Sequence, residues 1–104
     1  MKIHYSSRKL EKILTNERLI FRHYGRMAQK VMNRLSEIRA ATSLNDIPSV
    51  PPPRRHKLQG EYKNEWGIDV SKNYRVVLEP YGVFDINNIE TITEILIIRI
   101  ENYH

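Results

Sequence analysis

The sequence predicts an α+β fold in which two N-terminal helices pack on a small antiparallel β-sheet. One observation is a long amphipathic stretch, where apolar residues recur at spacings of three and four from about residue 17 to 41. Another is the alternation of apolar and polar residues in the C-terminal half, which is typical of strands with one covered face. The third is length: because 104 residues bury one modest core, we expect a single domain over residues 1–104.

The composition is that of a folded, basic protein. Hydrophobic residues make up 40% of the chain and charged residues 28%, which favours a folded chain over a disordered one. A formal net charge of +5 favours an anionic partner, either nucleic acid or an acidic protein and less so a membrane surface. The absence of cysteine excludes a disulfide framework, a thiolate metal site and a cysteine nucleophile. No apolar run is long enough for a membrane span, and the N-terminus lacks a secretory signal, so we expect a cytoplasmic protein with no membrane partner.

Two short elements are predicted at the N-terminus. Lys2–Tyr5 has two apolar residues of one parity, which indicates a first strand. Ser6 or Ser7 can then cap a short helix. The pair Thr15 and Asn16 interrupts that helix and can cap the next one.

One long amphipathic helix is predicted from about residue 17 to residue 41. Its polar side is mostly basic, and the basic residues stand four apart, so each lies roughly 40° further around the helix than the last. Two interpretations stay open for this side: a solvated face, or a surface that binds phosphate or an acidic partner. The apolar face is Ile20, Tyr24, Met27, Ala28, Val31, Leu35 and Ile38, and the basic stripe is Arg18, Arg22, Arg26, Lys30 and Arg34.

The remaining chain predicts a loop followed by strands. Residues 42–55 hold four of the five prolines, which removes backbone donors and disfavours both helix and inner strand. Residues 66–70 and 74–78 alternate on either side of a turn at 71–73, which predicts a hairpin. Residues 95–98 are apolar without alternation, and we expect a central strand buried on both faces.

No P-loop, zinc-protease or dinucleotide-binding motif is present, so the candidate catalytic or binding residues are single residues outside any such motif. Arg75 has the parity opposite to the apolar residues of its strand, so we expect it on the open sheet face. There it is either a cross-strand ion-pair partner of Asp69 or Glu101, or a phosphate ligand. His56 follows the proline-rich loop and His104 ends the chain; each is a solvated side chain or a proton carrier. Metal-free RNA cleavage needs a base, an acid and a cation near the phosphate, which such a set would supply.

Four segments follow the basic helix in order: RHKLQG (55–60), WGIDV (66–70), NYRV (73–76) and NYH (102–104). Over nearly the whole chain, this order resembles the HigB-type toxins of the RelE superfamily, the toxin halves of bacterial toxin–antitoxin pairs. The resemblance implies a protein with a microbial-RNase-like fold that enters the ribosomal decoding site and cleaves messenger RNA there. It implies three partners, namely a cognate helix-turn-helix antitoxin, mRNA and the ribosome at its 30S decoding site, and it implies no cofactor and no metal.

The same resemblance implies which residues act. His56, Arg75, Tyr103 and His104 match the catalytic residues of the family, with Arg75 as the strand arginine that binds the scissile phosphate. The family usually has aspartate where this chain has Asn102, which cannot act as a base but can accept a hydrogen bond. The RNA-binding residues that the resemblance implies are Lys57, Lys63, Arg18, Arg22, Arg26 and Lys30.

Three functions therefore stay open. The first is a ribosome-dependent mRNA endonuclease that an antitoxin silences. The second is a ParE-type inhibitor of DNA gyrase, because ParE toxins share this fold and do not cut nucleic acid themselves. The third is a basic binding module without toxicity. His56 with Tyr103 and His104 favours the nuclease, because an inhibitor needs no proton carriers.

Overall fold

A computed structural model describes residues 1–59 and 64–103. These residues form an α+β fold, as predicted, with three α-helices and a five-stranded sheet. No helix in this part of the chain is long and apolar enough to cross a membrane. The helices are α1 (Arg8–Leu14), α2 (Glu17–Tyr24) and α3 (Ala28–Ala40), and the strands are β1 (Lys2–Tyr5), β2 (His56–Lys57), β3 (Trp66–Asp69), β4 (Tyr74–Pro80) and β5 (Glu94–Asn102).

The strands of the sheet lie in the order β1-β5-β4-β3-β2. β3 and β4 form the predicted hairpin, with Asp69 opposite Arg75. The prediction of an antiparallel sheet is wrong at one edge, because β1 runs parallel to β5 with Lys2 beside Glu94. Local alternation of residues indicates a strand but not the direction of a partner almost a whole chain length away. β2 lies at the other edge and also makes the sheet larger than predicted.

The single helix predicted over residues 17–41 is wrong, because α2 and α3 are separated by a 3-10 turn at Gly25–Met27. Gly25 ends α2 with a φ angle of +54°, a left-handed backbone that glycine adopts at little cost. Within the described residues, three α-helices therefore replace the predicted two. The apolar face continues across the break, since Ile20 before it and Ala28 and Val31 after it are all buried.

The helices α1 and α2 begin at the predicted capping residues. Ser7 precedes α1, and its hydroxyl oxygen accepts a hydrogen bond from the backbone N–H of Leu10 at 3.0 Å. Asn16 precedes α2, and its side-chain oxygen accepts one from the N–H of Leu19 at 3.2 Å. Each cap satisfies a first-turn N–H group that has no partner within its own helix.

The apolar core lies between the helices and one face of the sheet. Leu35 and Ile38 of α3 are at most 2% exposed, and Ile68, Val76 and Leu78 of the hairpin are fully buried. Burial of such a side chain contributes roughly 1.5–3 kcal/mol relative to leaving it in water. This packing confirms both the apolar face predicted for residues 17–41 and the parity predicted for the hairpin.

The strand β5 lies between β1 and β4, as expected of a central strand, but only one of its faces is fully buried. Ile95 and Ile97 have no exposed surface, whereas Leu96 and Ile98 are half-buried. The expectation of burial on both faces is therefore wrong. The outer face, which we define as the sheet face opposite the helices, carries polar side chains that keep it open to solvent.

A β-bulge in β5 changes which of its residues point to the outer face. Val77 of β4 pairs with Arg99, but the next residue, Leu78, pairs with Ile97, so one residue of β5 is left over between them. An extra residue shifts the alternation of a strand by one. After the bulge Arg99 and Glu101 lie on the outer face.

Arg34 is part of the fold rather than of the basic surface. It is 9% exposed, and its Nε donates to the carbonyl oxygen of Asp69 at 2.7 Å while Nη1 donates to Glu37 at 3.0 Å. Residues four apart drift around a helix, so a stripe with this spacing eventually reaches the buried side. The other stripe residues, Arg18, Arg22, Arg26 and Lys30, are exposed.

Replacing Arg34 with alanine is expected to lower the free energy of unfolding by about 1.5–3 kcal/mol, because charge-assisted hydrogen bonds are lost and a buried carbonyl loses its donor. Urea denaturation followed by circular dichroism measures the change. Lys30→Ala, one helical turn earlier and exposed, is the matched control and should stay within about 0.5 kcal/mol of the parent. Equal losses in both variants would contradict the structural role of Arg34.

Candidate functional site

The outer face carries a row of charged side chains across three neighbouring strands. Asp69 of β3 lies opposite Arg75 of β4, and Arg75 lies opposite Glu101 of β5. Arg75 donates from Nε and Nη2 to the same oxygen of Glu101, at 2.8 and 2.7 Å. The expectation that Arg75 lies on the open face is met, and of its two predicted ion-pair partners it contacts Glu101.

Glu101 accepts hydrogen bonds from two arginines. Its second oxygen contacts Nε of Arg99 at 2.6 Å, and Arg99 in turn reaches Glu65 at 3.2 Å. Partial burial raises the pKa of Glu101, but the hydrogen bonds from Arg99 and Arg75 outweigh it and leave the pKa below its ordinary value. Glu101 is therefore a fixed negative charge that orients Arg75.

Tyr103 covers Arg75 from the end of β5. The guanidinium carbon of Arg75 lies 4.3 Å from the centre of the Tyr103 ring, which is a cation–π contact. The Tyr103 hydroxyl donates to Asp69 at 3.3 Å, and its backbone N–H donates to the carbonyl oxygen of Asn73 at 2.9 Å. The residue is thus attached at both ends, with its hydroxyl directed along the charged row.

Asp69 also binds the proline-rich loop through Arg54. Nε of Arg54 lies 2.6 Å from one carboxylate oxygen and Nη2 lies 3.3 Å from the other, and this pairing raises the pKa of Arg54. Arg54 has a φ angle of +41°, a left-handed conformation that is costly for a residue with a side chain. Backbone bonds fix the loop on both sides of it: Arg54 N–H to the carbonyl of Val50 at 3.1 Å, and Asp69 N–H to that of Pro53 at 2.7 Å.

His56 lies at the other side of the same face, in β2 opposite Gly67. Its ring lies against the Gly67 backbone so closely that a Cβ there would be 2.9 Å from Cε1 and 3.0 Å from Nε2. Nδ1 is 2.7 Å from the carbonyl oxygen of Arg54. A carbonyl oxygen only accepts, so Nδ1 carries a proton. Whenever the ring carries a single proton, its lone pair is therefore on Nε2, the nitrogen that a general base would use.

A shallow floor separates His56 from Arg75. His56 is in line with Gly67 of β3 and Val77 of β4, and Arg75 lies two residues further along β4. Two strand spacings and two residues along a strand place the backbones of His56 and Arg75 roughly 12 Å apart. Gly67 and Val77 lie opposite each other in the floor, and Val77 is fully buried although it faces away from the apolar core. His56 and Arg75 thus lie on either side of this floor.

The other predicted site residues lie elsewhere. Lys57 is exposed in β2 but has the parity opposite to His56. Asn102 lies opposite Tyr74 and likewise has the parity opposite to Glu101, so it is not part of the charged row. Lys63 and His104 lie outside the described residues. The exposed residues of the basic stripe belong to the helical layer and not to the outer face: Arg18, Arg22, Arg26 and Lys30.

Sequence reasoning identified three residues of this face and missed the groups that position them. No sequence pattern points to Arg54 as a site residue, because its left-handed backbone is set by the folded loop. No pattern points to Arg99 either, because the bulge that places it on the outer face depends on pairing with β4. Asp69 and Glu101 were considered only as alternative partners of Arg75, although the strand parity already placed Asp69 on its face.

Comparisons with known proteins bear on this fold. No protein-family model matches the sequence, and no curated protein matches it. Among solved structures, a YoeB/ParE toxin from Agrobacterium tumefaciens superposes with a TM-score of 0.60 at 14% identity, over 100% of this chain and 99% of that one. A YoeB–YefM complex from Staphylococcus aureus gives 0.56 at 17% identity, over 100% and 97%.

The similarity to YoeB and ParE toxins, at these identities, establishes the fold and leaves the reaction open. It agrees with the kind of fold that the four sequence segments implied, and the toxin superfamily itself stays a prediction. The HigB subtype stays a prediction, because neither neighbour carries that name.

Stability should fall on acidification as Glu101 is protonated. Because its pKa is lowered by folding, its ion pairs stabilise the protein fully above the ordinary glutamate pKa of about 4.3 and are lost as pH falls through the lower folded value. Glu101→Gln should therefore be less stable than the parent near neutral pH and lose less stability below pH ~4. Urea titrations across this range measure both effects. Glu90→Gln, at an exposed position, should leave the pH dependence as it is in the parent.

Proposed function

We propose that this protein is the toxin of a type II toxin–antitoxin pair, and that it cleaves messenger RNA in the decoding site of the ribosome. The observation that carries the proposal is one sheet face with His56 held through Nδ1, Arg75, and Tyr103 stacked on that arginine. The fold similarity to a YoeB/ParE toxin supports the toxin class. The similarity to the YoeB–YefM complex supports an antitoxin partner. Such a protein acts in the cytoplasm, where ribosomes and antitoxin are.

The proposed reaction is metal-free transfer of the phosphodiester to the neighbouring 2′-oxygen. Nε2 of His56 takes the proton of the 2′-hydroxyl, and the 2′-oxygen forms a bond to phosphorus. The bond from phosphorus to the 5′-oxygen breaks, and this oxygen receives a proton from the Tyr103 hydroxyl or from His104. The products are a 2′,3′-cyclic phosphate and a free 5′-hydroxyl.

Arg75 would stabilise the charge that develops on the phosphate oxygens. Its contact with Glu101 uses one edge of the guanidinium, and the group has five donors, so others are left for a phosphate oxygen. When the phosphate competes for Arg75, Glu101 still has Arg99 as a partner. Turning Arg75 toward RNA therefore does not leave a carboxylate without a cation.

RNA and ribosome contacts are proposed for the basic residues outside the row. Lys57 is beside His56 in sequence, and Lys63 is the second lysine that the resemblance assigns to RNA. The exposed part of the stripe offers cations to ribosomal RNA on the helical side of the molecule, where phosphate contacts need no base readout. Its members are Arg18, Arg22, Arg26 and Lys30.

Inhibition of DNA gyrase, as a ParE-like toxin, is the alternative on the same fold. The Agrobacterium neighbour is described as YoeB/ParE, which fits either class. The hydrogen bond that holds Nδ1 of His56 favours the nuclease, because gyrase inhibition by binding gives no reason to fix a histidine tautomer on an open face.

Expression without a partner should arrest bacterial growth through translation. Pulse labelling is expected to show protein synthesis falling before DNA synthesis, and mapping of RNA ends should find new 5′ ends confined to translated regions. Gyrase-linked DNA breaks with DNA synthesis stopping first would instead establish the ParE-like alternative. Normal growth with intact mRNA would reject both toxin functions.

Arg75→Ala should lower ribosome-dependent cleavage on the order of 10²–10³-fold, by analogy with the loss of one preorganised donor to a transition state. The fold should persist, because Arg75 lies outside the apolar core and Glu101 retains Arg99. Cleavage of a defined mRNA on purified ribosomes measures the rate, and circular dichroism checks the fold. Arg8→Ala, an exposed arginine of α1, is the matched control and should cleave at the parental rate.

A further inference from the structure

A cationic pocket lies beside the outer face, between α3, the proline-rich loop and the turn after β3. Its volume is about 520 Å³. The wall toward the loop is Pro51 and Pro52. The groups that could bind a ligand are Lys30, Asn33, Arg34, Arg54, Ser71 and Lys72.

The charge of this pocket is unbalanced. Asp69 is the only carboxylate among its described lining residues, and Arg54 already occupies both of its oxygens. Arg34 is partly neutralised by Glu37, which lies outside the lining. Lys30 and Lys72 form no ion pair with any carboxylate in the described part of the chain. Of the four lining cations, Lys30 and Lys72 thus lack an ion-pair partner among the described residues, and a bound anion would balance their charge.

The pocket and the charged row share Asp69. Its carboxylate accepts from Arg54 and Tyr103, while its backbone carbonyl accepts from Arg34 in the pocket. The pocket therefore borders the charged row at Asp69, with Arg54 common to both and Lys72 and Lys30 on the side of the pocket lining. A ligand with regularly spaced negative charges fits this succession of cations.

We propose that the pocket binds a backbone phosphate of RNA adjacent to the phosphate at Arg75, an inference that rests on the proposed function. Lysine ammonium groups bind phosphate as point charges and carry no base preference, so the contact fixes the position of the strand and not its sequence. An acidic peptide fits less well, because the apolar residues among the described lining are only Pro51, Pro52 and Val70, which is 3% exposed.

The test is binding of a single-stranded RNA oligonucleotide with 2′-O-methyl groups, which His56 cannot activate, measured by fluorescence anisotropy over a range of salt concentrations. The double variant Lys30→Ala/Lys72→Ala should bind more weakly. Its plot of log affinity against log salt should be shallower by about 1.4, because each phosphate contact on a single strand contributes about 0.7. Lys2→Ala/Lys12→Ala removes two exposed lysines elsewhere and should keep the parental slope. Lys30→Arg/Lys72→Arg should restore binding.

Three results of the RNA measurement would overturn the proposed phosphate site. They are a parental slope in the alanine double variant, an equal loss of RNA affinity in the Lys2/Lys12 control, and no RNA binding by the parent at low salt. Loss of affinity for a poly-glutamate peptide with unchanged RNA binding would also overturn it and would indicate an acidic protein partner. The readout needs no cleavage. If the protein fails to cleave mRNA but shows the expected slope difference, the proposed nuclease function is rejected and the proposed phosphate site is retained.

Discussion

The candidate site depends above all on Asp69, which is 9% exposed and binds four residues from three separate parts of the chain. Its carbonyl accepts from Arg34 of α3, its N–H donates to the loop at Pro53, and its carboxylate accepts from Arg54 and Tyr103. A buried carboxylate is stable only when its oxygens are paired, so these contacts are needed for the fold as much as for the site. The helical layer, the proline-rich loop and the chain end are thereby fixed around the end of one strand.

The free protein keeps its charged row neutral. Arg75 is paired with Glu101 and Arg54 with Asp69, while Arg99 bridges Glu101 and Glu65. The excess positive charge lies elsewhere, on the helices and in the pocket beside the row. Long-range attraction of an RNA strand would therefore come from the periphery, and the row would bind a phosphate by exchanging partners within an existing network. This arrangement would orient Arg75, the proposed phosphate ligand, before RNA arrives, so that less side-chain entropy is lost on binding.

Asn102 is not part of the charged row of the outer face. Asn102 has the strand parity opposite to Tyr103, and the carboxylates of the outer face are instead Glu101 and Asp69. In the proposed mechanism these carboxylates orient Arg75 and Tyr103, and none acts as the base. His56 can fill that role because the carbonyl of Arg54 fixes its tautomer. The chain thus has charge, orientation and a proton acceptor on one face without an acidic residue at position 102.

The sequence by itself determined the α+β class, the capping residues, the hairpin and the apolar faces, because each follows from the spacing or chemistry of neighbouring residues. It also placed Arg75 on the open face, since side chains alternate along a strand. Only the tertiary structure decided the parallel edge of the sheet, the bulge that turns Arg99 and Glu101 outward, and the burial of Arg34. These features arise from pairing between segments far apart in the chain, where local propensity carries no information about direction or register.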